Sequence, residues 1–152
     1  MSRLPCITLL LGVALVPART AQAQAAPAQP EVHVVTVSSF QVPLGEDRAK
    51  VMQYIEKWMV PPARTNPNVI SYRVGQHWYG ANSSDIVIIA EYPNWSAVTA
   101  PCDPCQQWTR NNQPKEGTAE RKAFDESLAL FLKYYSSHAD QIFTVPMSMA
   151  KP

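Results

Sequence analysis

Cys102-Asp103-Pro104-Cys105 places two thiols two residues apart, and that spacing suits three chemistries. The sulfurs can close a disulfide that braces a loop, cycle as a redox pair, or form half of a tetrahedral metal site. A zinc site of this kind needs a second cysteine pair, and the chain's remaining cysteine, Cys6, stands alone. A bond across so small a loop removes little entropy from the unfolded chain. A brace here would therefore order its own loop and add little to global stability.

Two histidines carry the other candidate chemistry. Val69 to Tyr79 alternates: Ile70, Tyr72, Val74, Gln76 and Trp78 point one way, while Ser71, Arg73, Gly75, His77 and Tyr79 point the other. His77 with Arg73 and Tyr79 on one face would make a polar cavity wall that orients a ligand or moves protons near neutral pH. The same row facing water would make this an ordinary edge strand. Trp78 offers a flat aromatic surface beside such a ligand. Later, His138 and Asp140 follow Tyr134 and Tyr135 at the end of a helical pattern. A histidine is favoured there by the helix dipole, and Asp140 can hold its ring, either for catalysis or simply as a cap and turn. The catalytic candidates are thus His77, His138 and Asp140, and the ligand-pocket candidates are Arg73, Trp78, Tyr79 and Tyr134. Met147 and Met149 have the softness of Cu(I) ligands but sit against the end of the chain, where 148–152 reads as a frayed tail. There is no glycine-rich phosphate loop, nucleophile elbow or His-Glu-x-x-His helix, so no cofactor or metal is expected.

The amino-terminal segment bears on all of this. Arg3 is followed by an apolar run from Ile7 to Val16, a break at Pro17, and the small-x-small set Ala21-Gln22-Ala23. That is the layout of a cleavable export signal over 1–23, and the run is shorter than the roughly twenty residues a membrane span needs. An Ala/Gln/Pro-rich stretch over 24–31 reads as a flexible leader. Cleavage would remove Cys6 and leave an even cysteine pair in an oxidising periplasmic or extracellular space. It would also remove Arg3 and Arg19. The 13 basic residues then become 11 against 12 acidic ones, and the formal charge moves from +1 to −1. With no basic run, nucleic acid is not an expected partner, and no membrane association is expected after cleavage.

Strand and helix periods organise the rest into one domain over 32–147. Val32 to Val37 is a short β-branched strand. Glu46 to Met59 carries Val51, Ile55, Trp58 and Met59 on one helical face and should stop at Pro61-Pro62. Gly80 to Ser84 is a hairpin loop, and Asp85 to Tyr92 is apolar enough for a central strand. Asn94 can cap a short helix from Trp95. Thr118 to Ser137 is the longest helical pattern, with Phe124, Leu128, Phe131, Leu132 and Tyr135 sharing a face, and Gln141 to Val145 is a last strand. The order β-α-β-β-α-β predicts an α+β, ferredoxin-like antiparallel sheet with two helices on one face. The strands are apolar on both sides: Val35 and Val37 oppose Val32 and Val34, and Val87 and Ile89 oppose Ile86 and Ile88. The bare face should therefore be covered by a second copy of the chain.

The element order, the segment Ile88-Ile89-Ala90-Glu91-Tyr92-Pro93-Asn94-Trp95 and the late Lys133-Tyr134-Tyr135-Ser136-Ser137-His138-Ala139-Asp140-Gln141-Ile142-Phe143 resemble the dimeric α+β barrel superfamily. Its members include antibiotic-biosynthesis-type monooxygenases, stress-responsive barrel proteins and haem-degrading enzymes. The resemblance spans Val32 to Val145 and implies a homodimer with a pocket between sheet and helices. It does not imply a reaction, because one fold hosts many functions. Separately, Cys102-Asp103-Pro104-Cys105 is similar to the Cys-Gly-Pro-Cys of thioredoxins, but it lacks their β-α-β setting and a tryptophan just before the first cysteine.

The functional expectation is an exported homodimer that binds a small, partly aromatic ligand between sheet and helices. A cofactor-independent monooxygenase-like reaction would use His77, or His138 with Asp140, as base. The alternatives are a non-catalytic, stress-associated binding module and a thiol–disulfide oxidoreductase at Cys102 and Cys105.

Overall fold

The computed structural model describes residues 31–77, 80 and 83–150. The signal expected over 1–23 and most of the leader over 24–31 lie outside the described residues, as do Trp78 and Tyr79. Four strands, β1 (Val32–Gln41), β2 (Ser71–Gln76), β3 (Asp85–Tyr92) and β4 (Ala139–Pro146), form one sheet in the order β2-β3-β1-β4. All three pairings are antiparallel. With a helical connection after β1 and another after β3, this is the expected ferredoxin-like α+β arrangement.

The first helical run is continuous but changes pitch. It comprises α1 (Glu46–Tyr54), a π-helical turn (Ile55–Met59) and α2 (Val60–Arg64). The expected stop at Pro61-Pro62 does not occur. The Val60 N–H donates to Ile55 O, five residues back, so the helix widens just before the prolines. Pro61 and Pro62 then fall in the first turn of α2, directly after the widened turn. Two helices follow β3: α3 (Trp95–Thr99) and α4 (Asp103–Asn112). Asn94 caps α3 as expected, its Oδ1 accepting the Ala97 N–H at 3.0 Å. The long α5 (Ala119–Tyr135) is capped by Thr118, whose Oγ1 accepts the Arg121 N–H at 3.1 Å. Met147–Met149 form a 3-10 turn, and the Met147 N–H donates to Glu31 O at 2.9 Å, which joins the end of the domain to the residue before β1.

The core lies between one sheet face and the helices α1 and α5. Phe40, Ile86 and Ile88 meet Val51, Tyr54, Ile55 and Phe131, with Phe124, Leu128 and Tyr135 packed around them. Leu132 does not join the expected face; it is 51% exposed. Residues 124, 128, 131 and 135 already fill the apolar stripe, and 132 falls off its side.

On the other face, register places Val35, Val37, Val87 and Ile89 beside Phe143 and Val145, and among the described residues these side chains stay partly or largely exposed. At one end of this face His33 Nδ1 contacts Glu91 Oε1 at 2.7 Å, and Ser71 Oγ donates to Glu91 Oε2 at 3.1 Å. The His33 bond chiefly holds the Glu91 carboxyl below its ordinary 4.5, with burial opposing and Ser71 helping. A lowered folded value makes a contribution to stability that is present above 4.5 and lost as pH falls through the lowered value. The stability difference between wild type and Glu91→Gln should therefore be full at pH 7 and shrink below pH 4.5, as read by urea unfolding across pH. A difference constant down to acid unfolding would contradict this.

Candidate functional site

The amino-terminal turn of α1 leaves a gap against the β2–β3 hairpin. The segment Val42 to Gly45 turns out of β1, with Gly45 at φ 138° directly before α1. That backbone value favours glycine, so the tight entry to α1 depends on it. The gap is a cavity of about 320 Å³ lined by Leu44, Gly45, Arg48, Ala49, Met52, Gln76, His77 and Ser83. Its wall is mainly apolar, with one guanidinium, one imidazole, one amide and one hydroxyl. Larger depressions on the helices are bordered by solvated charged groups such as Lys50 and Glu126.

Arg48 is the residue that sequence reasoning missed. It is only 6% exposed. Nε donates to Gln76 Oε1 at 3.0 Å, Nη1 to Val42 O and Ser83 O at 3.1 and 3.2 Å, and Nη2 to Asp85 O at 3.2 Å. One guanidinium thus ties α1 to the end of β1 and both sides of the hairpin. Among the described residues no carboxylate forms an ion pair with it. Carbonyl oxygens accept from the guanidinium on three sides, and its remaining surface forms part of the cavity wall.

His77 stands at the rim of this cavity, exposed, with its backbone N–H donating to Asp85 O at 3.0 Å. It follows the last β2 pair, Gln76 with Ile86, so it has left the strand's alternation. The expected grouping with Arg73 therefore fails. Arg73 pairs with Ile89 on the uncovered sheet face and is exposed, while His77 joins the cavity on the helix side. Trp78 and Tyr79 cannot be assigned to either wall, as they lie outside the described residues. Tyr134 is not in the cavity: its Oη donates to Asp47 Oδ2 at 2.7 Å and joins α5 to α1. Tyr72 packs against the core, and burial chiefly pushes its phenol up to about 12, so it stays neutral.

His138 and Asp140 do meet, but away from the cavity. His138 Nε2 lies 3.0 Å from Asp140 Oδ2 and Nδ1 lies 2.7 Å from Tyr135 O. The ring also stacks on Tyr135, with centroids 4.0 Å apart. Ser38 Oγ donates to Asp140 Oδ1 at 2.6 Å and is the main cause of its lowered carboxyl value. The group connects α5, β4 and β1, and its polar atoms are already engaged with one another.

Cys102 and Cys105 are joined by a disulfide, with Cα atoms 5.3 Å apart. Intact-mass analysis without reductant should find the pair lighter than the dithiol by two hydrogens; two alkylatable thiols in native protein would contradict it. Among the described residues no three His, Cys, Asp or Glu side chains converge as metal ligands.

No family model matches the chain, and no curated protein matches its sequence. Solved structures do resemble it. A conserved protein from Methanosarcina mazei Go1 aligns at 15% identity, covering 74% of this chain and 92% of the other, with TM-score 0.46. A dimeric ferredoxin-like protein of unknown function from Bacteroides fragilis aligns at 17% identity over 74% and 96%, with TM-score 0.44. SnoaB, a cofactor-independent oxygenase from Streptomyces nogalater, aligns at 15% over 78% and 98%, with TM-score 0.45. The likeness is one of fold. The ferredoxin-like assignment itself stands on the sheet order and pairing of this chain.

Proposed function

We propose that this protein is exported, forms a homodimer, and holds a small aromatic anion in the cavity between α1 and the β2–β3 hairpin. The observation that carries the reading is the cavity's composition. Leu44 and Met52 offer an apolar surface for a ring, the buried Arg48 supplies a positive charge, and His77 stands at the mouth. Few polar groups set in an apolar wall are what fixes the orientation of a small ligand. In the enzymatic form of this reading, His77 accepts a proton from a phenolic or enolic ligand, and the electron-rich anion reacts with oxygen in the sheltered cavity. In the binding-only form no proton moves.

The test uses 4-hydroxybenzoate as the probe, titrated by NMR against wild type and His77→Ala. Loss of the imidazole should weaken binding about tenfold, which corresponds to about 1.4 kcal/mol. Equal affinities would remove His77 from the site. Oxygen uptake with the same probe separates the two forms.

The dimer is proposed to bury the uncovered sheet face. Ile89→Lys places a charge in the middle of that face and should convert a dimer into a folded monomer by light scattering. A variant that stays dimeric would place the interface elsewhere. Export would be tested by the amino terminus of protein recovered outside the cytoplasm, expected at Gln24.

A further inference from the structure

We propose that Cys102 and Cys105 form a redox-active pair that exchanges electrons with dithiols. Three observations point away from a simple brace. The bond encloses only Asp103 and Pro104, so it constrains little of the unfolded chain. It also joins nothing that its opening would release. α4 has no buried residue, and it rests on the body through the edge contact of Trp108 with Trp58, at 6.2 Å between ring centroids, and through its packing on α2. The bond can therefore open and close without disturbing the core. Finally, the pair is built into the start of a ten-residue helix. Cys102 is the N-cap of α4, and its Sγ accepts the Cys105 N–H at 3.1 Å. A sulfur in that place is stabilised as a thiolate, which makes it a good leaving group. Both cysteines are half-buried, so a small thiol can reach them. Asp103 in the first turn is the acid closest in sequence and opposes the thiolate.

The exchange balances as follows. A thiolate of the external dithiol bonds to Cys105 Sγ, the Cys102–Cys105 bond breaks, and its electron pair leaves on Cys102 Sγ. The donor's second thiol loses its proton and attacks the mixed disulfide. The donor closes its own disulfide, and Cys105 leaves with the electron pair and takes up a proton. Two electrons pass from the dithiol to the protein. They pass on when the Cys102 thiolate attacks another disulfide and one of its sulfurs leaves with the electron pair, after which the Cys105 thiol loses its proton, attacks the mixed disulfide at Cys102 Sγ and restores the Cys102–Cys105 bond as the second sulfur leaves.

The full chain would be tested in insulin reduction with dithiothreitol as the electron source. The expected result is a rate several-fold above dithiothreitol alone, lost in Cys102→Ser and raised in Asp103→Asn. In the fully reduced wild type, Cys102 should also react with iodoacetamide about tenfold faster than Cys105 at pH 7, a readout that needs no variant. Background insulin turnover by the wild type, or equal alkylation of the two thiols, would overturn the proposal.

Discussion

Arg48→Ala is expected to lower the unfolding free energy by about 3 kcal/mol, because it removes four donated hydrogen bonds at once and leaves Val42 O buried without its side-chain donor. The guanidinium donates to Val42 O, Ser83 O, Asp85 O and Gln76 Oε1, and these acceptors come from three separate parts of the chain. Arg48→Lys should rescue little of the loss. An ammonium is a compact donor and cannot span the geometry of the fork. Urea unfolding would read the change as a lower midpoint at unchanged slope. A midpoint shift equivalent to less than about 1 kcal/mol would show that water satisfies these carbonyls and that Arg48 is not the clasp of the hairpin.

Phe131→Ala should cost about 3–5 kcal/mol, as expected for emptying a buried aromatic site. Phe131 is 5% exposed and stacks on Tyr54 and Tyr135, with centroids 5.1 and 5.0 Å away, while meeting Phe40 edge-on at 5.8 Å. Removing one ring opens a gap between three others. Leu132→Ala, one residue on, should change stability by no more than about 0.5 kcal/mol because that side chain is half in water. Comparable losses at the two positions would mean that α5 is rotated from the arrangement described, or that a partner covers Leu132.

These two residues also mark how far the sequence could be read. The strands were legible because Val32-His33-Val34-Val35 and Ile86-Val87-Ile88-Ile89 have no plausible place other than a sheet, and the caps at Asn94 and Thr118 are local chemistry. Local periodicity gave the α5 stripe but could not rank Leu132 against Phe131, since burial depends on which part of the stripe meets the sheet. Arg48 was invisible for a related reason. Glu46-Asp47-Arg48-Ala49-Lys50 reads as a solvated helix start, and only the arrival of the hairpin carbonyls buries its third residue. His77 was picked out by type but put on the wrong wall, because alternation was carried past Gln76, where pairing with β3 ends. α4 was missed because Pro101, Pro104 and a lack of apolar repeat hide a helix that buries nothing. The π-helical turn before Pro61 could not be seen, since two prolines in sequence ordinarily signal a stop.

The central claim is that the cavity beside Arg48 and His77 receives a small aromatic anion. A crystal structure of the protein grown with saturating 4-hydroxybenzoate tests it most directly. The expected result is density for the ring against Leu44 and Met52, with its polar end within hydrogen-bond distance of His77. An empty cavity in such crystals, or the ligand seated only on the uncovered sheet face beside Val37 and Ile89, would contradict it.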